Sequence, residues 1–311
     1  MKKRIRGVVA AVATPLFQRL DPDHVALVEH SRRLLANGCD GLNILGTTGS
    51  FASFSVAQRR GVMEALANSD LPLDAMMVGT GGAAFQDTVE LTRRAVELGF
   101  AGALVIPPFY YKNVPEDGVY AYFVDLVDAV GASGLRLYLY NFPAMSGVPF
   151  TSALVERLLR AFPAVVVGLK DSSNDAAYVA ELHRRFPELD VFPSSESVLA
   201  SARIAGFAGC ISATVNVTAP LAARVWNGDE EPGGDAQRSL AAIRATISSL
   251  PVIPAVHALI AERYGEERWS RVAPPLYPLT ADERAQLRLA LAETAYESET
   301  RVATGSSHAG A

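Results

Sequence analysis

Lys170 is the residue whose type and placement point most directly to chemistry. It closes the run Val165-Val166-Val167-Gly168-Leu169-Lys170 and is followed by Asp171-Ser172-Ser173. A short β-branched apolar run reads as a buried strand of a parallel sheet. Lysine is seldom fully buried without a partner or a task. Of the 28 basic residues only four are lysines: Lys2, Lys3, Lys112 in a Tyr/Asn/Pro-rich loop, and Lys170. Where the chain wants positive charge alone, it uses arginine. Two readings of the stretch stay open. Lys170 is either a side chain snorkelling to water from a strand end, or an amine that loses its proton in an apolar pocket and attacks a carbonyl to form a Schiff base.

The residues able to work with such an amine also follow apolar runs. Tyr140 ends one, Thr47 and Thr48 stand in the turn Gly46-Thr47-Thr48-Gly49-Ser50 after another, and Tyr110 lies in Pro107-Pro108-Phe109-Tyr110-Tyr111 after a third. The set suits 2-keto acid chemistry. A desolvated lysine attacks the ketone, and the iminium draws electrons from the adjacent carbon so that a proton or a carbon fragment can leave. A neighbouring tyrosine shuttles protons and a threonine hydroxyl links it to a second tyrosine. The Thr48 hydroxyl and the amides around Gly49 would bind a carboxylate. The plainer alternatives are a rim tyrosine with a solvated hydroxyl and an ordinary tight turn. His24, His30 and His183 fall on helical stretches, His257 in a later helical region and His308 in the tail, so no histidine stands where a general base is needed.

These positions require a scaffold that brings strand ends together. An apolar run, a Gly/Thr/Pro-rich turn and an amphipathic helical stretch recur every 25 to 35 residues or so. Strands are expected at 5–14, 41–45, 74–78, 102–106, 135–140, 165–170, 190–192 and 209–212. Helices are expected at 22–37, with Asp21 as cap and Gly38 as stop, and at 55–68, 85–98, 115–130, 152–161, 175–185 and 197–205. Eight such units in about 220 residues predict an α/β protein of the closed (β/α)8 barrel (TIM barrel) type. In such barrels the site lies at the C-terminal strand ends. The barrel is assigned to residues 1–225 and a C-terminal helical extension packed on it to 226–298, with helices at 236–263 and 282–298. The polar segment 299–311 is expected to be a disordered tail.

Composition narrows the classes. Half the residues are hydrophobic and a fifth charged, the profile of a globular domain. The formal charge of −5 gives no basic footprint for nucleic acid or an anionic membrane. No apolar run approaches the roughly 20 residues that span a bilayer. The basic N-terminus leads into a run cut by Thr14-Pro15, which reads as a first strand and not a signal peptide. Cys39 and Cys210, each in apolar surroundings, suggest neither a disulfide framework nor a metal cluster, so a cytoplasmic location and no metal are expected. Neither a Gly-x-Gly-x-x-Gly turn nor a Gly-Lys-Ser/Thr loop is present to hold a nucleotide.

Taken together, Gly46-Thr47-Thr48-Gly49, Tyr140-Asn141-Phe142-Pro143, Gly168-Leu169-Lys170-Asp171-Ser172-Ser173 and Gly209-Cys210-Ile211-Ser212-Ala213-Thr214-Val215-Asn216 resemble the dihydrodipicolinate synthase/N-acetylneuraminate lyase family over about residues 5–290. The resemblance implies class I, pyruvate-dependent aldolase chemistry on a homotetramer built as a dimer of dimers, with a covalent Schiff base and no cofactor. It implies Lys170 as the Schiff-base lysine, Tyr140 as the acid/base tyrosine, Thr47 as relay, and Thr48 as a carboxylate binder. Tyr110 would be the tyrosine that crosses into a neighbour's site, and Ile211 a residue lining the pyruvate pocket. Departures concern the partner substrate. Synthases of this pattern carry an arginine for the aldehyde's carboxylate where this chain has Met145, and methionine offers a carboxylate no donor. The run Pro143-Ala144-Met145-Ser146-Gly147 is closer to the sugar-acid lyases. Ser50 replaces a common glutamate and Ser194 a common glycine, both near where the second substrate would bind.

The leading expectation is a lyase or aldolase that makes or breaks a carbon–carbon bond between pyruvate and a sugar-acid-type aldehyde. The alternatives are a 2-keto-3-deoxy sugar acid dehydratase using the same iminium, dihydrodipicolinate synthase, which Met145 disfavours, and a non-catalytic keto-acid-binding barrel.

Overall fold

The computed structural model describes residues 4–228 and 231–300. Eight parallel strands form one sheet: β1 Gly7–Ala11, β2 Gly41–Ile44, β3 Met76–Gly79, β4 Gly102–Val105, β5 Leu137–Asn141, β6 Val166–Asp171, β7 Asp190–Pro193 and β8 Gly209–Ser212. Their hydrogen-bonded order runs from β7 down to β1 and then to β8. The remaining gap is bridged where Ala208 N donates to Val191 O at 3.0 Å, so the sheet closes into the expected (β/α)8 barrel.

The helices are α1 His24–Ala36, α2 Val56–Ala67, α3 Phe85–Leu98, α4 Glu116–Val130, α5 Pro143–Ser146, α6 Ser152–Ala161, α7 Ala176–Arg185, α8 Leu199–Ile204 and α9 Val215–Asn227, then α10 Asp235–Ser248, α11 Val252–Tyr264, α12 Ala281–Ala292 and α13 Tyr296–Glu299. Local chemistry explains several starts. Ser55 and Gln58 form a reciprocal capping box on α2, and Thr151 and Asp175 accept from Leu154 N and Tyr178 N at the starts of α6 and α7. The cap of α1 is Asp23, whose carboxylate accepts from Ala26 N, and not the expected Asp21, which instead accepts from Gln58 Nε2 at 2.7 Å. The expected helix 236–263 is two helices bent by 109°, because Pro251 cannot donate to the turn before it. The expected helix 282–298 likewise breaks at residues 293–295. The stretch expected as a helix at 197–205 opens as a 3-10 turn, Glu196–Val198, before α8.

Strand alternation sorts the interior into two apolar layers. Leu137, Leu139, Leu169 and Val191 pack outward under Phe123, Leu154, Leu158 and Leu182 of α4, α6 and α7. Tyr138, Tyr140 and Phe192 belong to the other cluster, with apolar residues of β1 and β8. Leu240, Ile243, Val256 and Leu259 of α10 and α11 join that same cluster, so the extension shares the barrel's core. Of the expected tail, Glu299 pairs with Arg224 at 2.6 Å and Thr300 is buried, its hydroxyl accepting from Arg263. Residues 301–311 lie outside the described residues. Both cysteines are free and buried. Among the described residues no single helix is long and apolar enough to cross a membrane.

Candidate active site

β5 and β6 pair in a register that sets Tyr140 opposite Lys170 and Asn141 opposite Asp171. In each pair the first member's side chain shares a sheet face with its partner, so Tyr140 and Lys170 emerge together at the barrel mouth. The Lys170 ammonium lies over the Tyr140 ring, 4.5 Å from its centroid. Both residues are 4% exposed. Among the described residues Lys170 makes no ion pair or hydrogen bond, which leaves its nitrogen without a protein partner beside an aromatic face. The next residue faces the other way. Asp171 accepts from Asn141 Nδ2 at 2.7 Å and from the Ser173 hydroxyl and amide, while Asn141 Oδ1 accepts from Phe150 N. Burial raises the Asp171 pKa, against the pull of the Asn141 and Ser173 hydrogen bonds. This outward lattice ties β5, β6 and the loop after β5 together and holds the lysine strand in place.

The turn after β2 brings the hydroxyls. Thr47 Oγ1 lies 3.1 Å from Tyr140 Oη. The turn is set by Leu45 and Ser50, both in the left-handed region (φ 53° and 56°), and by the Thr14 hydroxyl donating to Gly49 O at 3.0 Å. At Gly49 a Cβ would stand 3.0 Å from Val12 O and 3.2 Å from Leu45 Cα, so any side chain there would press on the backbone of both neighbours.

Below this rim, Tyr138 fills the barrel interior. It is fully buried, its hydroxyl finds no hydrogen-bond partner among the described residues, and burial pushes its pKa up to about 12. Gly102 and Gly168 flank the ring: a Cβ at either would come within 2.6 Å or 2.5 Å of it.

A chamber of about 410 Å³ opens over Lys170. Thr47, Thr48, Tyr140, Met145, Ser194 and Ile211 all border it. Gly49 and Ser50 do not. Gly49 acts through its carbonyl and its close packing, and Ser50 serves as the left-handed residue that starts the turn Phe51–Ser53. Tyr110 is also off the chamber wall of its own chain: it is 75% exposed and packs edge-on against Tyr111, ring centroids 5.4 Å apart. Lys112 ties that loop to the Met145 turn by donating to Phe109 O and, at 3.0 Å, to Ser146 O.

Sequence reasoning missed the wall contributed by the extension. Arg244 of α10, Pro251, Ile253 and Leu276 border the chamber. Arg244 is held by Glu196, which is fully buried and accepts from the Ser212 and Thr214 hydroxyls, from Thr218 Oγ1 at 3.2 Å and from Arg244 Nη1 at 3.1 Å. The same Nη1 lies 2.5 Å from Ser212 Oγ and 3.0 Å from Thr214 Oγ1. No local motif marks an arginine inside an amphipathic helix, so only the packing of α10 against the loop after β7 reveals it. Among the described residues no group of three or more His, Cys, Asp or Glu side chains is placed to hold a metal ion.

Comparison with known proteins agrees with this geometry. The chain is 36% identical over 295 residues to an uncharacterised DapA-like lyase of Chloroflexus aurantiacus, covering 92% of this chain and 95% of that one. Its structure superposes on dihydrodipicolinate synthase from Agrobacterium tumefaciens with a TM-score of 0.85 at 28% identity, covering 93% and 99% of the two chains. It also superposes on YagE, a prophage protein of E. coli K12 belonging to the dihydrodipicolinic acid synthase family and solved in complex with pyruvate, with a TM-score of 0.82 at 26% identity, covering 93% and 98%. The profile of the dihydrodipicolinate synthetase family matches residues 4–294, and the chain belongs to that family.

Proposed function

We propose that the protein is a class I aldolase or lyase in which Lys170 forms a Schiff base with pyruvate or a 2-keto acid. The observation that carries this is a buried lysine with no counter-ion among the described residues, stacked on a tyrosine whose hydroxyl lies 3.1 Å from Thr47. The amine adds to the ketone carbon, water leaves, and the iminium accepts the electron pair released when the bond beyond the adjacent carbon breaks. Tyr140 carries the protons of carbinolamine dehydration and of fragment departure, with Thr47 as its relay. Thr48 and the neighbouring turn bind the keto acid's carboxylate, and Ile211 lines the pyruvate end. The lysine itself supplies the electron sink, so this reading requires no cofactor. The YagE complex with pyruvate, in a protein of the same fold at 26% identity, supports the substrate. Met145, which offers no donor to a carboxylate, argues against the synthase reaction and for an aldehyde partner of the sugar-acid type.

The outward-facing Tyr110 fits a residue that completes a neighbour's site, so we also propose a homotetramer built from dimers. Two reduced, buried cysteines support a cytoplasmic setting.

Borohydride with pyruvate should leave a reduced adduct on Lys170, located by mass spectrometry, and Lys170→Arg should abolish it without unfolding the chain. No adduct, or one on Lys112, would overturn the proposal. Incubation with a panel of 2-keto-3-deoxy sugar acids, scored for pyruvate release and for loss of water, then separates lyase from dehydratase.

A further inference from the structure

A second chamber, about 690 Å³, adjoins the first, and Asn174, Ser194 and Arg244 line both. Arg244 thus stands at a junction. Among the described residues every hydrogen bond it makes runs through Nη1, which faces Glu196, Ser212 and Thr214. Its Nη2 and Nε are committed to no protein acceptor there, although the side chain is only 20% exposed. A guanidinium pinned on one edge, with its other donors open to a cavity, is arranged to bind an oxyanion. The hydroxyls of Ser212, Thr214 and Thr218 disperse the charge of Glu196, so that carboxylate holds the guanidinium without taking up its remaining donors. Beyond the junction the larger chamber bears Asp171 and Asp175, which repel an anion, and serine hydroxyls such as Ser195 and Ser201. An anionic group is therefore favoured at the junction and not deeper.

We propose that Arg244 is a specificity-determining residue that binds an anionic group, carboxylate or phosphate, at the far end of the substrate whose keto end reacts with Lys170. This rests on the Schiff-base reading above. In this assignment the chain takes from its C-terminal extension the cation that Met145 does not supply from the barrel, and the substrate class is a 2-keto-3-deoxy acid with a second acidic terminus.

The test uses three matched six-carbon 2-keto-3-deoxy acids ending in a hydroxymethyl, a carboxylate or a phosphate. The readout is kcat/KM for keto-acid consumption by the wild type, Arg244→Gln and Arg244→Lys. The wild type should prefer one of the acid-terminated substrates, and which one identifies the group. Arg244→Gln should lower kcat/KM for that substrate by roughly ten- to a hundredfold and for the hydroxymethyl compound by less than about threefold. Arg244→Lys keeps a charge beside Glu196 and should recover part of the loss, so it decides the matter should the glutamine variant fail to fold. Equal losses on neutral and anionic substrates, or a wild-type preference for the hydroxymethyl compound, would overturn the assignment. Borohydride trapping of pyruvate on each variant keeps the two ideas apart. Trapping with no charge preference rejects Arg244 alone, whereas no trapping in the wild type rejects the Schiff base.

Discussion

Gly168→Ala is a stringent probe of how the lysine strand is fitted. The added Cβ would stand 2.5 Å from Tyr138 Cδ1, 2.7 Å from its Cε1 and 2.8 Å from the backbone oxygen of Asp190. Carbon atoms in contact rest about 3.5–4.0 Å apart, so something must yield by about 1 Å. The ring has little room to retreat, because the space for a Cβ at Gly102 lies only 2.6 Å from its Cε2. Overpacking of a close-packed core costs about 1–3 kcal/mol, and a backbone oxygen among the clashing atoms puts this case towards the upper end. Urea unfolding followed by circular dichroism measures the loss. The double variant Gly168→Ala/Tyr138→Leu should cost less than the two single losses added, with a coupling of about 1 kcal/mol or more. Because Lys170 is two residues along the same strand, turnover should fall in Gly168→Ala even where the protein is fully folded. Strict additivity in the cycle, or an unchanged stability, would refute the sandwich of Tyr138 between two glycines.

Tyr138→Phe removes a buried hydroxyl that has no partner among the described residues, and should leave stability unchanged or raise it by about 1 kcal/mol in the same urea assay; a loss beyond about 1 kcal/mol means the hydroxyl is satisfied. Burial lowers the pKa values of His30 and His257 to about 4 from an ordinary 6.5. The unfolded chain therefore binds more protons between those values, and stability that is complete above pH 6.5 declines towards pH 4 by roughly 3 kcal/mol for each histidine. Urea midpoints across that window should show the decline, and His257→Gln should flatten it; an unchanged slope would count against the assignment. Thr47→Val, which deletes the hydroxyl beside Tyr140, should cut turnover roughly ten- to a hundredfold and slow borohydride trapping, with the adduct still on Lys170. Tyr140→Phe should cost about a hundredfold or more in steady-state kinetics, and near-normal turnover would remove it as the proton carrier.

The barrel was legible in the sequence because each of its strands is a short apolar run followed by turn residues, and the pattern repeats eight times. Lys170, Tyr140 and Thr47 were legible because a strand end in such a barrel has one destination, the common rim. Arg244 was not. It occupies a helix whose periodicity matches any surface helix, and its meaning comes from Glu196, 48 residues away and fully buried. Tyr110 was read as reaching into a neighbour's site, and Ser50 as a replacement for a common glutamate near the second substrate. One faces solvent in the single chain, and the other supplies a backbone angle. Adjacency in sequence reports shared loops, while membership of a cavity wall depends on which way a side chain leaves its turn. The break at Pro251 was visible as a proline, but not the bend that brings residues 251–254 over the lysine.

The meeting of β1 and β8 also has a consequence for the order of events during synthesis. β1 pairs Gly7 with Gly209, about two hundred residues downstream, and a Cβ at Gly209 would fall 1.9 Å from Gly7 O. Loop closure over that span is slow compared with the local pairing of successive strands. The first strand therefore leaves the ribosome long before its second neighbour exists. The rim that unites Thr47, Lys170 and Ile211 is completed only when that last ladder zips. A bulky residue at Gly209 should thus show itself first as delayed maturation of activity, in a chain whose early strands have already assembled.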